Sequence, residues 1–397
     1  MELKISHHDA PVRVLRPSDR GGRTPVYAVW ELTLQCNLAC SHCGSRAGKK
    51  RTGELSTSEA LALVEDLRGL GVRELALIGG EAYLRGDWIE IVRRARDLGI
   101  RPVLQSGGYG FTATLAQRAK EAGLAALGIS VDGLEPIHDD IRGVVGSYRA
   151  AFEALNAARE VGLTVTANTQ IHAKNWRSLP DIYTDLRKAQ IAAWQLQLTV
   201  AMGNAADNDD LLLQPFHLYE LFPVIAALTD MAKTENVQIY PGNNIGFFGP
   251  YEHLWRGPHR FDNHYKGCQA GINTIGIEAD GTIKGCPSLA TSRYSEGNVR
   301  VVPIKEIWNG NLAFPLNRDW DLKLWGFCKT CYYAKVCRGG CNWTSDSLFG
   351  KPGNNPYCHH RVLSLKKLGK RERVVKVSEA DKSSFGTGLF KLIEESW

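Results

Sequence analysis

Between Pro25 and Tyr240, short runs rich in β-branched and aromatic residues alternate with stretches whose apolar positions repeat at helical spacing. Runs of the first kind read as strands and stretches of the second as amphipathic helices. The first run, VYAVWELTL over 26–34, is continuous enough for a buried strand. Ser56, Thr57, Ser58 and Glu59 form a capping box, Leu63, Leu67 and Leu70 share a helical face, and Gly71 supplies the stop before a strand over 73–78. A helix capped by Asp87 carries Trp88, Val92 and Ala95 on one face and ends at Gly99, before a strand over 102–105. Helices near 112–122, 147–161 and 179–189 then alternate with strands over 125–131, 163–171 and 193–200, and a helix near 217–234 follows. Six successive βα units predict a parallel sheet, and six are too few to close an eight-stranded barrel. The expected fold class is therefore α/β, an open partial (β/α)6 barrel.

After Tyr240 the pattern changes. Residues 240–265 are dense in Gly, Pro, Asn and aromatics (Phe247, Phe248, Tyr251, Trp255, Phe261), the mark of a functional loop or a packed linker. Seven of the ten cysteines then fall between Cys268 and Cys358, which points to a second unit held by metal more than by apolar core. The expected organisation is an N-terminal extension over 1–24, the barrel over 25–239, the aromatic connection over 240–265, a cysteine-rich domain over 266–362 and a basic C-terminal tail over 363–397.

Composition narrows the classes. No basic-then-apolar start precedes the first strand and no apolar run approaches a membrane span in length, so a cytoplasmic protein without a membrane partner is expected. Ten cysteines in such a chain indicate metal or redox chemistry rather than a disulfide framework. The net charge of +6 has a local origin, because Arg361 to Lys376 holds seven basic residues and one acidic. That run reads as a solvated helix or tail, with docking of an acidic peptide as the alternative. Nucleic-acid binding is not expected without aromatic stacking residues beside it.

Cys36, Cys40 and Cys43 stand within eight residues. Three thiolates can hold three corners of a [4Fe–4S] cube and leave one iron open to a small molecule, and a zinc site is the competing reading of the spacing. The loop follows the first strand, at the end where α/β barrels put their chemistry. It resembles the cluster-binding loop of radical S-adenosylmethionine (SAM) enzymes, in which the open iron chelates the methionine group of SAM.

That resemblance implies roles for further residues. Gly79, Gly80 and Glu81 are similar to the element that receives the SAM amino group, and Gln105 is a candidate for a ribose hydroxyl, although Gly107 departs from the usual pattern. Ser130 and Arg142 would clamp the SAM carboxylate through a hydroxyl and a charge-assisted fork. His42 would pack near the adenine; as a fourth iron ligand it would block SAM. The later cysteines, with Gly281 between the first two, resemble the SPASM domain, which binds two auxiliary iron–sulfur clusters, each here expected to be [4Fe–4S]. Carried over, Cys328, Cys331, Cys337 and Cys358 would hold the second, and Cys268, Cys286 and Cys341 the first, whose fourth ligand would be a non-cysteine group, water or substrate. A zinc knuckle over Cys328 to Cys341 remains the alternative.

The implied activity is reductive cleavage of SAM to a 5′-deoxyadenosyl radical that abstracts a substrate hydrogen. The first expectation is a peptide maturase that installs a cross-link or other modification on a ribosomally made peptide. A separate leader-binding protein would present the peptide, and a flavodoxin or ferredoxin would donate electrons. A maturase resembling the anaerobic sulfatase-activating enzymes is the second, disfavoured because Pro287 rather than an acid follows Cys286. A non-catalytic iron–sulfur or zinc scaffold is the third.

Overall fold

The computed structural model describes residues 23–242, 244–256, 264–310, 313–318 and 323–397, with Arg13, Arg16 and Asp19 before them. Most of the expected 1–24 extension lies outside the described residues, as do Phe261 and its neighbours in the aromatic connection.

The six expected strands are present: β1 (Tyr27–Thr33), β2 (Glu74–Gly79), β3 (Arg101–Ser106), β4 (Ala126–Ser130), β5 (Thr164–Ile171) and β6 (Ala193–Leu198). They run parallel, and the sheet extends past them on both sides. A seventh parallel strand, β7 (Gln238–Pro241), pairs with β6. On the other edge β8 (Thr274–Ile277) pairs in parallel with β1, setting Val29 beside Gly276, and β9 (Thr282–Lys284) and β10 (Ser295–Asn298) continue antiparallel. The order is β10-β9-β8-β1-β2-β3-β4-β5-β6-β7, so the cysteine-rich segment shares the barrel's hydrogen-bonded sheet.

Alternation along the strands sorts the two faces. Trp30, Leu75, Leu77, Leu104 and Leu127 are fully buried in the main core, each contributing about 1.5–3 kcal/mol of burial. Ala76, Val103 and Ala126 form a separate small cluster with Tyr27 and Val29. Further along these latter positions the side chains turn polar, at Glu31, Gln105 and Ser130, where they line a cavity.

The helices fall where their signals stand. Ser56 and Glu59 close a reciprocal capping box on the helix Thr57–Gly69, and Gly71 follows at φ +97°. Asp87 occupies the N-cap of Trp88–Asp97 but makes no cap bond; its carboxylate is taken instead by a two-pronged ion pair with Arg85, at 2.6 and 2.8 Å.

Two expectations are corrected, and one open choice is narrowed. The stretch Asp209–Thr234 is long and apolar enough to cross a membrane by length and composition, although over half of it is buried inside the fold, with Leu221, Phe222 and Ile225 of the helix Leu218–Thr234 in the core. The basic segment at the C-terminus is no tail: after the helix His359–Lys367 it forms a hairpin, β11 (Lys370–Ser378) and β12 (Leu389–Ser396). Its charges are neutralised by pairs such as Arg361 with Glu372 at 2.5 Å and Arg371 with Glu395 at 2.9 Å. Of the two readings of the aromatic connection, its described part fits the packed linker: Phe247 meets Tyr265 edge-on, Tyr251 stacks on His359 and Trp255 abuts Phe222.

Candidate active site

The cysteine loop leaves β1 and is held almost entirely by backbone hydrogen bonds. Cys36 N donates to Gly48 O, Glu81 N to Gln35 O, Ala39 N to Arg142 O and Ser41 N to Ile141 O, all at 2.8 to 3.1 Å. Asn204 adds two clasps, its backbone N–H to Cys43 O at 2.9 Å and its side chain to Cys40 O at 2.8 Å. Two glycines make this approach possible. A Cβ on Gly80 would meet the Gln35 carbonyl oxygen, and one on Gly203, which sits at φ +58°, would meet those of Cys43 and Gly44.

Cys36, Cys40 and Cys43 line one cavity of about 270 Å³. Each sulfur has a donor: Leu38 N to Cys36 at 3.4 Å, Arg142 Nη1 to Cys40 at 3.7 Å, and Ala47 N to Cys43 at 3.3 Å. Burial pushes the Cys36 thiol up to about 12 and that of Cys40 to about 11. Sulfurs that are provided with donors yet buried at such cost as free thiolates fit coordination to cationic iron.

The expected SAM contacts converge on the same cavity: His42, Gly79, Gly80, Glu81, Gln105, Ser130 and Arg142 all line it. Glu81 is 2 % exposed and accepts from Ser106 Oγ and Gly107 N, both at 2.6 Å. Burial outweighs these bonds and raises its carboxyl to about 7, so a cationic ammonium beside it would be well received. Arg142 Nη2 pairs with Asp132 at 2.6 Å, and the same oxygen meets His42 Nε2 at 2.8 Å. Arg142 Nε and His42 Nδ1 are buried without partners, which leaves polar atoms for a polar ligand to satisfy. These residues fit SAM.

Asp132 carries no motif that marks it as part of the site. Burial presses its pKa up, but Arg142 and His42 overcome this and hold the carboxylate far below its usual range. Its backbone N–H donates to His138 Nδ1, and its carbonyl accepts from Asn175. Gln170, Gln197 and Glu31 also line the cavity; the alternating polar residues in TANTQI and WQLQL were the signal that marks the glutamines as inward-facing.

The later cysteines gather in two groups. Cys328, Cys331, Cys337 and Cys358 line one pocket together with Phe248, Tyr333 and His360. Cys268, Cys286 and Cys341 are mutual electrostatic neighbours: burial and then Cys341 push Cys286 up to about 11, while burial and the other two thiols raise Cys268. Asn317 Nδ2 approaches the Cys268 sulfur at 3.9 Å. All ten cysteines are free. The segment after Cys286 and the helix Asn342–Phe349 contribute Pro287, Ser288 and Trp343 to the first cavity's wall.

Comparison with known proteins identifies two regions of the chain. The model of the Radical SAM superfamily matches residues 30–186 and that of the SPASM iron–sulfur cluster-binding domain matches 268–332. An AdoMet-dependent heme synthase of Nitratidesulfovibrio vulgaris is 30% identical over 369 residues, 87% of this chain and 95% of that protein. A PqqA peptide cyclase of Ruegeria pomeroyi is 27% identical, over 86% of this chain and 90% of that one. In fold, the chain is similar to Streptococcus suis SuiB bound to S-adenosylmethionine, with a TM-score of 0.65 and 15% identity over 85% of this chain and 76% of that one.

Proposed function

We propose, for a chain that belongs to the radical SAM superfamily and carries a SPASM iron–sulfur domain, that it is a maturase acting on a C–H bond of a peptide. As a member of that superfamily it is an enzyme that uses SAM with a [4Fe–4S] cluster, and auxiliary clusters in its SPASM domain. In our reading Cys36, Cys40 and Cys43 hold the first cluster, Glu81 receives the SAM ammonium, Ser130 and Arg142 its carboxylate, Gln105 a ribose hydroxyl, and His42 lies by the adenine. Bound and reduced, SAM supplies hydrogen-atom abstraction; the protein's part is to orient it and to keep water and rival hydrogens away. Cys268, Cys286 and Cys341 hold one auxiliary cluster and Cys328, Cys331, Cys337 and Cys358 the other. A flavodoxin or ferredoxin donates electrons, a separate leader-binding protein presents the peptide, and the cytoplasm keeps the thiols reduced.

The charge of the cavity carries the choice of substrate. Glu31, Glu81 and Glu278 line it, and the one cation among the described lining residues, Arg142, is already paired with Asp132. Arg51 and Lys284, just behind the wall, are likewise paired, with Glu31 at 2.8 Å and Glu278 at 2.6 Å. Walls whose cations are all engaged offer a carboxylate no partner and so disfavour a substrate rich in carboxylates. A second reading, a carboxylate-bearing tetrapyrrole, is favoured by the extent of the likeness to the heme synthase.

Anaerobic incubation of the reconstituted enzyme with SAM, reductant and either candidate peptides or iron-coproporphyrin III decides between them by the mass of the product. We expect a peptide product, and conversion of the porphyrin alone would overturn the reading. The reconstituted chain is expected to bind about twelve irons, the sum of three four-iron cubes. A plateau near four in iron assays would remove the auxiliary assignment.

A further inference from the structure

One wall of the cavity carries a group that the reading above leaves unused. Glu278, just past β8, is 2 % exposed and lines the cavity. Its Oε1 lies 2.6 Å from Lys284 Nζ and accepts from the Thr291 hydroxyl at 2.5 Å. Its Oε2 is buried with no hydrogen-bond partner. Arg51 Nη2 stands 3.7 Å from it, but that guanidinium directs its hydrogen bonds to Glu31. A buried carboxylate oxygen without a hydrogen-bond donor is costly, and a ligand's donor reaching it through that cavity wall would relieve it.

Lys284 itself offers a ligand nothing. It is fully buried, donates to Leu289 O at 2.7 Å and lies over the Phe385 ring, 4.0 Å from the centroid. It is a positioning residue that brings a carboxylate and an aromatic ring to the same wall. Phe385 belongs to the turn between β11 and β12, and it too lines the cavity. The turn is anchored at the cysteine loop's clasp, where Gly203 N donates to Gly386 O at 2.8 Å, Arg46 donates to Asp381 O at 3.1 Å and Lys382 pairs with Asp207 at 3.0 Å. The C-terminal hairpin therefore completes the cavity.

We propose that Glu278 Oε2, flanked by the Phe385 ring, is the substrate-selecting subsite, and that it takes a side chain ending in a cationic N–H donor such as an ammonium or guanidinium. This rests on the peptide reading and narrows it. The carboxylate supplies a charge-assisted hydrogen bond and the ring an apolar flank for the side-chain stem.

Equilibrium dialysis of the SAM-loaded holoenzyme against two small probes, N-acetyl-lysine N-methylamide and N-acetyl-norleucine N-methylamide, tests it. The wild-type protein is expected to prefer the lysine probe by about tenfold, the scale of one charge-assisted bond. Glu278→Gln alone strands the buried ammonium, so it is paired with Lys284→Met; this double variant is expected to lose the preference while its Kd for SAM stays unchanged. Phe385→Ala is expected to weaken both probes. Equal affinity of the two probes for the wild type, which needs no variant to fold, overturns the subsite, as does a preference undiminished in the double variant. Binding of neither probe together with binding of iron-coproporphyrin III overturns the peptide reading and the subsite with it.

Discussion

Alanine at Cys36, Cys40 or Cys43 takes formation of 5′-deoxyadenosine to background and removes about four irons per chain, leaving the auxiliary iron in place. The loop is held by its own backbone, through Asn204, Gly48 and Arg142, so loss of one sulfur does not unfold it. The loss falls instead on coordination, because a cluster with two protein thiolates has no fixed open corner. Chromatographic assay of SAM cleavage beside an iron determination checks both halves. Cleavage retained in any of the three variants would show that the triad was wrongly chosen.

Asp132→Ala is expected to cost about 3–5 kcal/mol of stability and to weaken SAM binding, because it leaves the Arg142 guanidinium buried without its carboxylate. The pH dependence has a definite sign. Arg142 and His42 hold the folded-state pKa of Asp132 below its unfolded value, so the stabilisation is fully present above the unfolded pKa of about 3.9 and is lost as pH falls through the folded value. Urea denaturation between pH 2 and 5 should show a steeper acid loss in the wild type than in Asp132→Asn, with the two slopes converging above about pH 4. Parallel slopes would mean that the carboxylate is not coupled to the guanidinium as described.

Much of this was legible in the sequence because local rules set it. The six barrel strands announced themselves by apolar runs, and the helix Thr57–Gly69 by its capping box. The two cysteine patterns named groups that the fold then brings together, Cys328 with Cys358 across thirty residues being the clearest case. What escaped depends on contacts distant along the chain. Asp132 reads as part of an ordinary turn until Arg142 and His42, ninety residues before it, close on its carboxylate. Glu31 and Glu278 gain meaning only when β8 lies beside β1, and the alternation that reveals Gln170 and Gln197 says which way they face but not what they face. The basic run at the C-terminus reads as solvated from its charge alone; the hairpin register brings Glu395 opposite Arg371, and β11 sets Glu372 against Arg361 of the preceding helix.

The pairing of β1 with β8 also sets a timetable. The first strand leaves the ribosome with one flank waiting for residues 274–277, so it must spend the synthesis of some 250 further residues half-dressed, roughly 10–50 s at ordinary translation speeds. For that interval its bare ladder of amides is open to a stranger's strand. Slow, non-local closure of this kind is where a nascent chain most needs a chaperone, and where a heterologous host producing it too fast would collect aggregate instead of enzyme.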